Sequence, residues 1–246
     1  MSERKTTSTE HLKGNRTLIL TRALAAGAAG MVPVPYLDDL LAGAVRSALI
    51  RRIAEARKVD VDANAVEELA HPSGSRVLTA ASIGAIAIGG TKRAFRKLAA
   101  SIMIVRRADE AVQTFYLGTL FDHYCAQHHV GAAVDGKKAA LLRASIDLSA
   151  KQARSEAISR TFKKALRLMG AAALKMPRPS GVFSSWRKGP GIEERVESAA
   201  SSSYVKRAVQ GVESEVAQAE RGYIVALTES FDLAWVAANA IRPDGT

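Results

Sequence analysis

An all-α multi-helix bundle is predicted from three features of the sequence. Apolar residues recur every three or four positions through most of the chain, no alternating β-branched run is long enough to build a sheet, and Pro/Gly clusters punctuate the chain at helix-length intervals. With 246 residues, 48% of them hydrophobic, the chain can bury a substantial core as one large helical domain or as two lobes.

The first helix is expected over about 10–30, stopped by Pro33 and Pro35. The second starts near Tyr36 with Asp38 and Asp39 in its first turn and closes with Arg57 and Lys58 in its last, each sign of charge at the dipole end that favours it. A short helix follows Asp62 and is broken at His71-Pro72-Ser73-Gly74. Two more are expected over 75–107 and 108–129, with Gly89-Gly90 as a candidate break in the first. Residues 137–175 are helical in one or two pieces, and 192–241 read as two helices that can run on through Gly211. Between them, 177–191 carries Pro177, Pro179 and Pro190 and makes the best linker, which divides the chain into a basic helical domain over 1–176 and an acidic helical pair over 192–246.

Two Gly/Ala-rich stretches, 23–37 and 77–91, are the most apolar. Each is 15 residues long, whereas a membrane-spanning helix needs about 20. Length therefore favours buried core helices, with shallow re-entrant insertion as the alternative. Gly27 and Gly30 in the first, and Ala81, Ala85 and Gly89 at four-residue spacing in the second, are the small residues that let helix backbones approach closely. A hairpin of close-packed helices around the Pro33-Val34-Pro35 turn is expected.

The formal net charge of +11 favours an anionic partner: a phospholipid surface, a nucleic acid or an acidic protein. Its distribution is uneven. Residues 71–108 hold seven Lys or Arg and no acid, and 137–190 hold thirteen against two acids, whereas 109–136 hold four acids and no Lys or Arg. Residues 191–241 hold eight acids against four bases, so acidic segments can cover basic ones within the fold. Helical periodicity gathers Lys92, Arg93, Arg96 and Lys97 opposite Phe95, Leu98, Ile102 and Val105. It also gathers Arg160, Lys163, Lys164 and Arg167 opposite Ile158, Phe162, Ala165, Leu166 and Met169. Such faces are either the solvated sides of bundle helices or sites of electrostatic attachment to anionic lipid, where each Lys or Arg contributes about 1 kcal/mol.

The run Gly30-Met31-Val32-Pro33-Val34-Pro35-Tyr36-Leu37-Asp38, followed by an amphipathic helix, Val59-Asp60-Val61 and a second short helix, resembles the helical domain of the YcjF type. In those domains a Gly/Ala-rich helix meets a Pro-rich turn, then an Asp near a helix start, then a second glycine-rich apolar hairpin. Residues 81–90 stand where that second segment falls. The run is also similar to the EcsC-like helical proteins, with the same Gly/Ala, Pro and Asp arrangement. Covering about the first half of the chain, the resemblance implies a non-enzymatic, membrane-associated module with Pro33, Pro35 and Asp38 as its structural turn. It also implies a GTPase as a candidate partner, because YcjF-type domains are often fused to bacterial GTPases or encoded beside them. It carries over no catalytic residue.

Enzymatic motifs are not found. The chain lacks G-x-G-x-x-G, G-x-S-x-G and H-E-x-x-H, and where Gly84 to Gly89 distantly suggests a phosphate loop, Gly90-Thr91 replaces Lys-Ser/Thr. No enzyme and no cofactor is implied. Cys125 is the single cysteine, which excludes an intramolecular disulfide, and residues 2–9 do not read as a secretory signal, so a cytoplasmic protein, peripheral to the inner membrane, is expected.

One segment holds metal-ligand types: Asp122-His123-Tyr124-Cys125-Ala126-Gln127-His128-His129. Asp122, Cys125 and His129 share a helical face, but no second cluster of His, Cys and acids is visible elsewhere to face them. A polar helix end, with His128 and His129 meeting the dipole, is the favoured expectation. A nucleic-acid partner rests on the same basic faces together with Arg178, Arg187 and Lys188 beside Phe183 and Trp186, with no helix-turn-helix or RNA-binding signature to accompany them. Self-assembly is the remaining alternative. The last helix carries a stripe of Val216, Tyr223, Leu227, Phe231, Ala234 and Ala238, preceded by Glu213, Glu215 and Glu220, and the acidic pair can pack on this chain's basic segments or on a neighbour's.

Overall fold

The computed structural model describes residues 9–29, 37–71, 92–173, 201 and 203–240. Among these the chain is all-α. A 3₁₀ turn, Glu10–Lys13, precedes eight α-helices: α1 Arg16–Ala29, α2 Leu37–Arg57, α3 Ala63–Ala70, α4 Lys92–Gln127, α5 Gly136–Gln152, α6 Glu156–Ala173, α7 Ser203–Ala219 and α8 Val225–Ala240. A π-turn, Glu220–Ile224, joins the last two. No strand forms among the described residues. The nearest approach to one is an isolated parallel bridge between Val61 and Val134.

The axis of the bundle is α4, 36 residues long and so roughly 54 Å from end to end at 1.5 Å per residue. It is flanked by α1, α2, α5, α6 and α8. The closest flank is α1, whose Leu20, Ala23, Leu24, Ala25 and Ala26 are all buried. A helix apolar nearly all round fits a core position. The C-terminal pair enters the same core: α7 packs on α1 and α6, and α8 packs on α5. Val209, Val216, Leu227 and Phe231 belong to one buried cluster with Leu20, Leu49 and Phe121.

Element ends follow local chemistry. α2 ends in a Schellman motif, with Lys58 in the left-handed region (φ 56°), the Lys58 N–H donating to Glu55 at 3.1 Å and the Val59 N–H to Ala54 at 2.9 Å. Asp135 caps α5 by accepting from the Lys138 N–H at 2.7 Å. The break between α5 and α6 falls at Ala153 to Ser155, where the Ser155 hydroxyl accepts from the Ile158 N–H at 3.3 Å. The short helix α3 is closed by arginines from two other helices. Arg46 of α2 donates to the Ala70 carbonyl at 3.3 Å, and Arg143 of α5 to the Leu69 carbonyl, so orphan carbonyls meet cations at the negative end of the helix dipole.

One expectation is corrected. The helix pair 75–107 and 108–129 is, over the described residues, the single continuous α4. The sequence changes there from basic to acidic, but Arg106-Arg107-Ala108-Asp109 holds no Gly or Pro, and a change of charge does not stop a helix. The small-residue stretch 77–91, the Pro33 and Pro35 turn and the 177–191 linker lie outside the described residues. Among those described, no helix is long and apolar enough to cross a membrane.

Candidate functional site

The polar centre of the bundle lies where α4 ends. Asp122 is fully buried and gripped by Arg57, whose Nε and second guanidinium nitrogen donate to its two carboxylate oxygens at 2.7 and 2.9 Å. The Asn15 amide donates to it as well, at 2.7 Å. A bidentate guanidinium pair of this kind fixes geometry as well as charge. Cys125 is buried beside it. Burial, and then the negative charge of Asp122, push its thiol up to about 12 against the pull of Arg57, so it stays a protonated small hydrophobe. His129, at the helix end, is held below the ordinary imidazole value by burial and by the charge of Lys138.

Asp122, Cys125 and His129 therefore do not act as one ligand set: the first is committed to Arg57, and among the described residues a different trio converges. The ligand atoms of His123, His128 and Asp232 all lie within 4.8 Å of one another. Nε2 of His123 and Nε2 of His128 stand 2.8 and 2.7 Å from the same oxygen, Asp232 Oδ1. Behind them, His11 Nε2 lies 3.0 Å from His123 Nδ1. His123 is fully buried, with its ring edge-on to Phe231, whereas His128 and Asp232 are 23% and 31% exposed. Burial pushes the Asp232 carboxyl up, but hydrogen bonds from the two histidines more than offset this and hold it below the ordinary carboxylate range.

Two features hid this arrangement from the sequence. His123 and His128 are five apart, a spacing that does not share a helical face, but α4 stops at Gln127. The His128 and His129 amides both donate to the Tyr124 carbonyl, at 2.9 and 3.0 Å, and this widened last turn carries the His128 side chain to Asp232. The facing carboxylate and His11 come from distant segments. The available signal was Asp232 itself, one of two acids in the otherwise uncharged α8.

The second candidate is the outer side of α6. Its apolar stripe, Ile158, Phe162, Ala165, Leu166 and Met169, is buried. Arg160 and Arg167 are exposed and Lys163 half-buried, and among the described residues none of the three makes an ion pair. Lys164 does, reaching Glu215 of α7 at 3.1 Å. Hydrogen bonds from Thr161 and then Lys164 hold that carboxyl below its ordinary value. The other basic set, Lys92, Arg93, Arg96 and Lys97, sits on the first turns of α4, where the side chains lie outside the described residues. Val105, placed on the apolar side of that segment, is exposed.

In comparison with known proteins, no protein-family model, no curated protein and no solved structure matches the chain.

Proposed function

We propose that this chain is a non-enzymatic helical protein that attaches to an anionic membrane surface through the outer face of α6 and engages a protein partner there. The observation that carries the proposal is the division of α6: every residue of its apolar stripe is buried in the protein's own core, while Arg160, Lys163 and Arg167 make no ion pair among the described residues. An apolar stripe already occupied cannot insert into lipid, and Leu168, 65% exposed beside the cations, is a single side chain, so attachment through α6 is electrostatic in the main. The outer face of α8 supports the partner half of the proposal. Leu233 and Val236, one turn apart, are 75% and 61% exposed, and an exposed apolar helix face is characteristic of surfaces that meet another protein.

Flotation of the full chain with vesicles tests this. At low salt the protein should float with phosphatidylserine-containing vesicles and not with neutral ones. Arg160→Glu with Arg167→Glu should weaken binding by at least about 2 kcal/mol, roughly 30-fold, at about 1 kcal/mol per charge lost. Equal binding to neutral vesicles, or tighter retention on random duplex DNA than on acidic vesicles at matched salt, would count against it.

A further inference from the structure

We propose that His123, His128 and Asp232 form a site for a zinc-class divalent cation, which clamps α8 onto the end of α4. The donor set is two imidazole nitrogens and one carboxylate oxygen converging within 4.8 Å, the types and number that hold zinc with a fourth position open. In the metal-free protein both Nε2–H groups donate to Asp232 Oδ1, at 2.8 and 2.7 Å. Tetrahedral ligands at zinc bond lengths stand roughly 3.3 Å apart, so loading needs each Nε2–Oδ1 separation to open by about half an ångström. His128 lies just beyond the end of α4 and Asp232 is partly exposed, which leaves both free to shift and opens the route by which an ion enters. His123 is the fixed member, buried with His11 behind it at 3.0 Å.

The protons balance without a net change. On loading, the His123 proton moves from Nε2 to Nδ1 and the His11 proton from Nε2 to Nδ1, so the 3.0 Å contact reverses and His123 Nδ1–H donates to His11 Nε2. His128 likewise takes the tautomer that turns its Nε2 lone pair to the ion. A ligating histidine whose other nitrogen is held by an outer partner is the usual support of such a site, and losing that partner weakens the metal by about 10–100-fold. The donor set contains no thiolate, since Cys125 stays protonated and is not among the converging groups, which favours zinc, cobalt or iron(II) over copper(I).

Cobalt(II) added to chelator-treated full-length protein should give visible d–d bands that saturate at one equivalent, and zinc should displace them and raise the melting temperature. His123→Gln risks misfolding because the ring is wholly buried, so the decisive variants are the partly exposed His128→Gln and Asp232→Asn, both of which should abolish the bands while keeping the helical circular dichroism. His11→Gln should weaken binding about 10–100-fold, and Cys125→Ser should leave it unchanged. Absence of bands and of any melting shift in the wild-type protein would overturn the site, as would bands that persist in both His128→Gln and Asp232→Asn.

Discussion

Gly27 sets the distance between α1 and α4. A Cβ there would lie 2.9 Å from the Arg107 carbonyl oxygen, 3.0 Å from Leu166 Cδ1 and 3.1 Å from Ala111 Cβ, and a backbone oxygen cannot step aside as a flexible side chain can. Gly27→Ala should therefore destabilise the protein by about 1–3 kcal/mol, read from the midpoint of chemical denaturation. Gly211, in the middle of α7, has nothing among the described residues within 4 Å of the same added atom, so Gly211→Ala should stabilise by roughly 0.5–1 kcal/mol through helix propensity alone. The sequence marks Gly27 as a place of close approach because it stands in a run of Ala and Leu. It does not mark what approaches, since Arg107 and Leu166 are distant in the chain. The same limit hid the His/Asp trio: spacing rules work within one helix, and this site takes its members from a helix tail and a separate helix.

At the scale of elements, the positive charge is used in two ways that composition alone does not separate. Some arginines lie in the interior: Arg46 and Arg143 are 4% exposed and close α3 between them. Arg46 pairs with Glu110 as it does so, and Arg143 with Asp147 at 3.0 Å. Arg143→Leu should cost about 1–3 kcal/mol, because the Leu69 carbonyl loses its buried donor. Arg143→Lys should rescue little, since a single ammonium does not replace a planar fork that meets a carboxylate and a carbonyl together. Amide exchange in α3 should rise in both variants, and protection unchanged from wild type would show that the clasp contributes nothing. Helix positions were legible from periodicity and, for α3, from the Asp62 start. The break expected at Arg107 does not occur, because nothing between Lys92 and Gln127 stops the helix. The interior role of Arg46 and Arg143 was illegible, because a buried arginine and a solvated one have the same place in a charge tally.

Across the whole molecule, the alternation of basic and acidic segments is resolved by packing. The acidic C-terminal pair does meet a basic segment, through Lys164 and Glu215, yet that pairing consumes one cation of α6 and leaves Arg160 and Arg167 facing outward. Lys164 is therefore a poor position for charge reversal, since a carboxylate there would confront Glu215 and disturb the fold along with any surface binding. In the proposed function the outward cations hold the chain on an anionic surface by long-range charge rather than by insertion. The most direct measurement of this is the partition coefficient onto phosphatidylserine-containing vesicles between 0.1 and 1 M salt, where the Debye length falls from about 10 Å to about 3 Å. Binding that collapses over this range, with the Arg160→Glu/Arg167→Glu protein already weak at its lower end, is the predicted result. Binding that is indifferent to both salt and charge reversal would show that these cations do not hold the chain there.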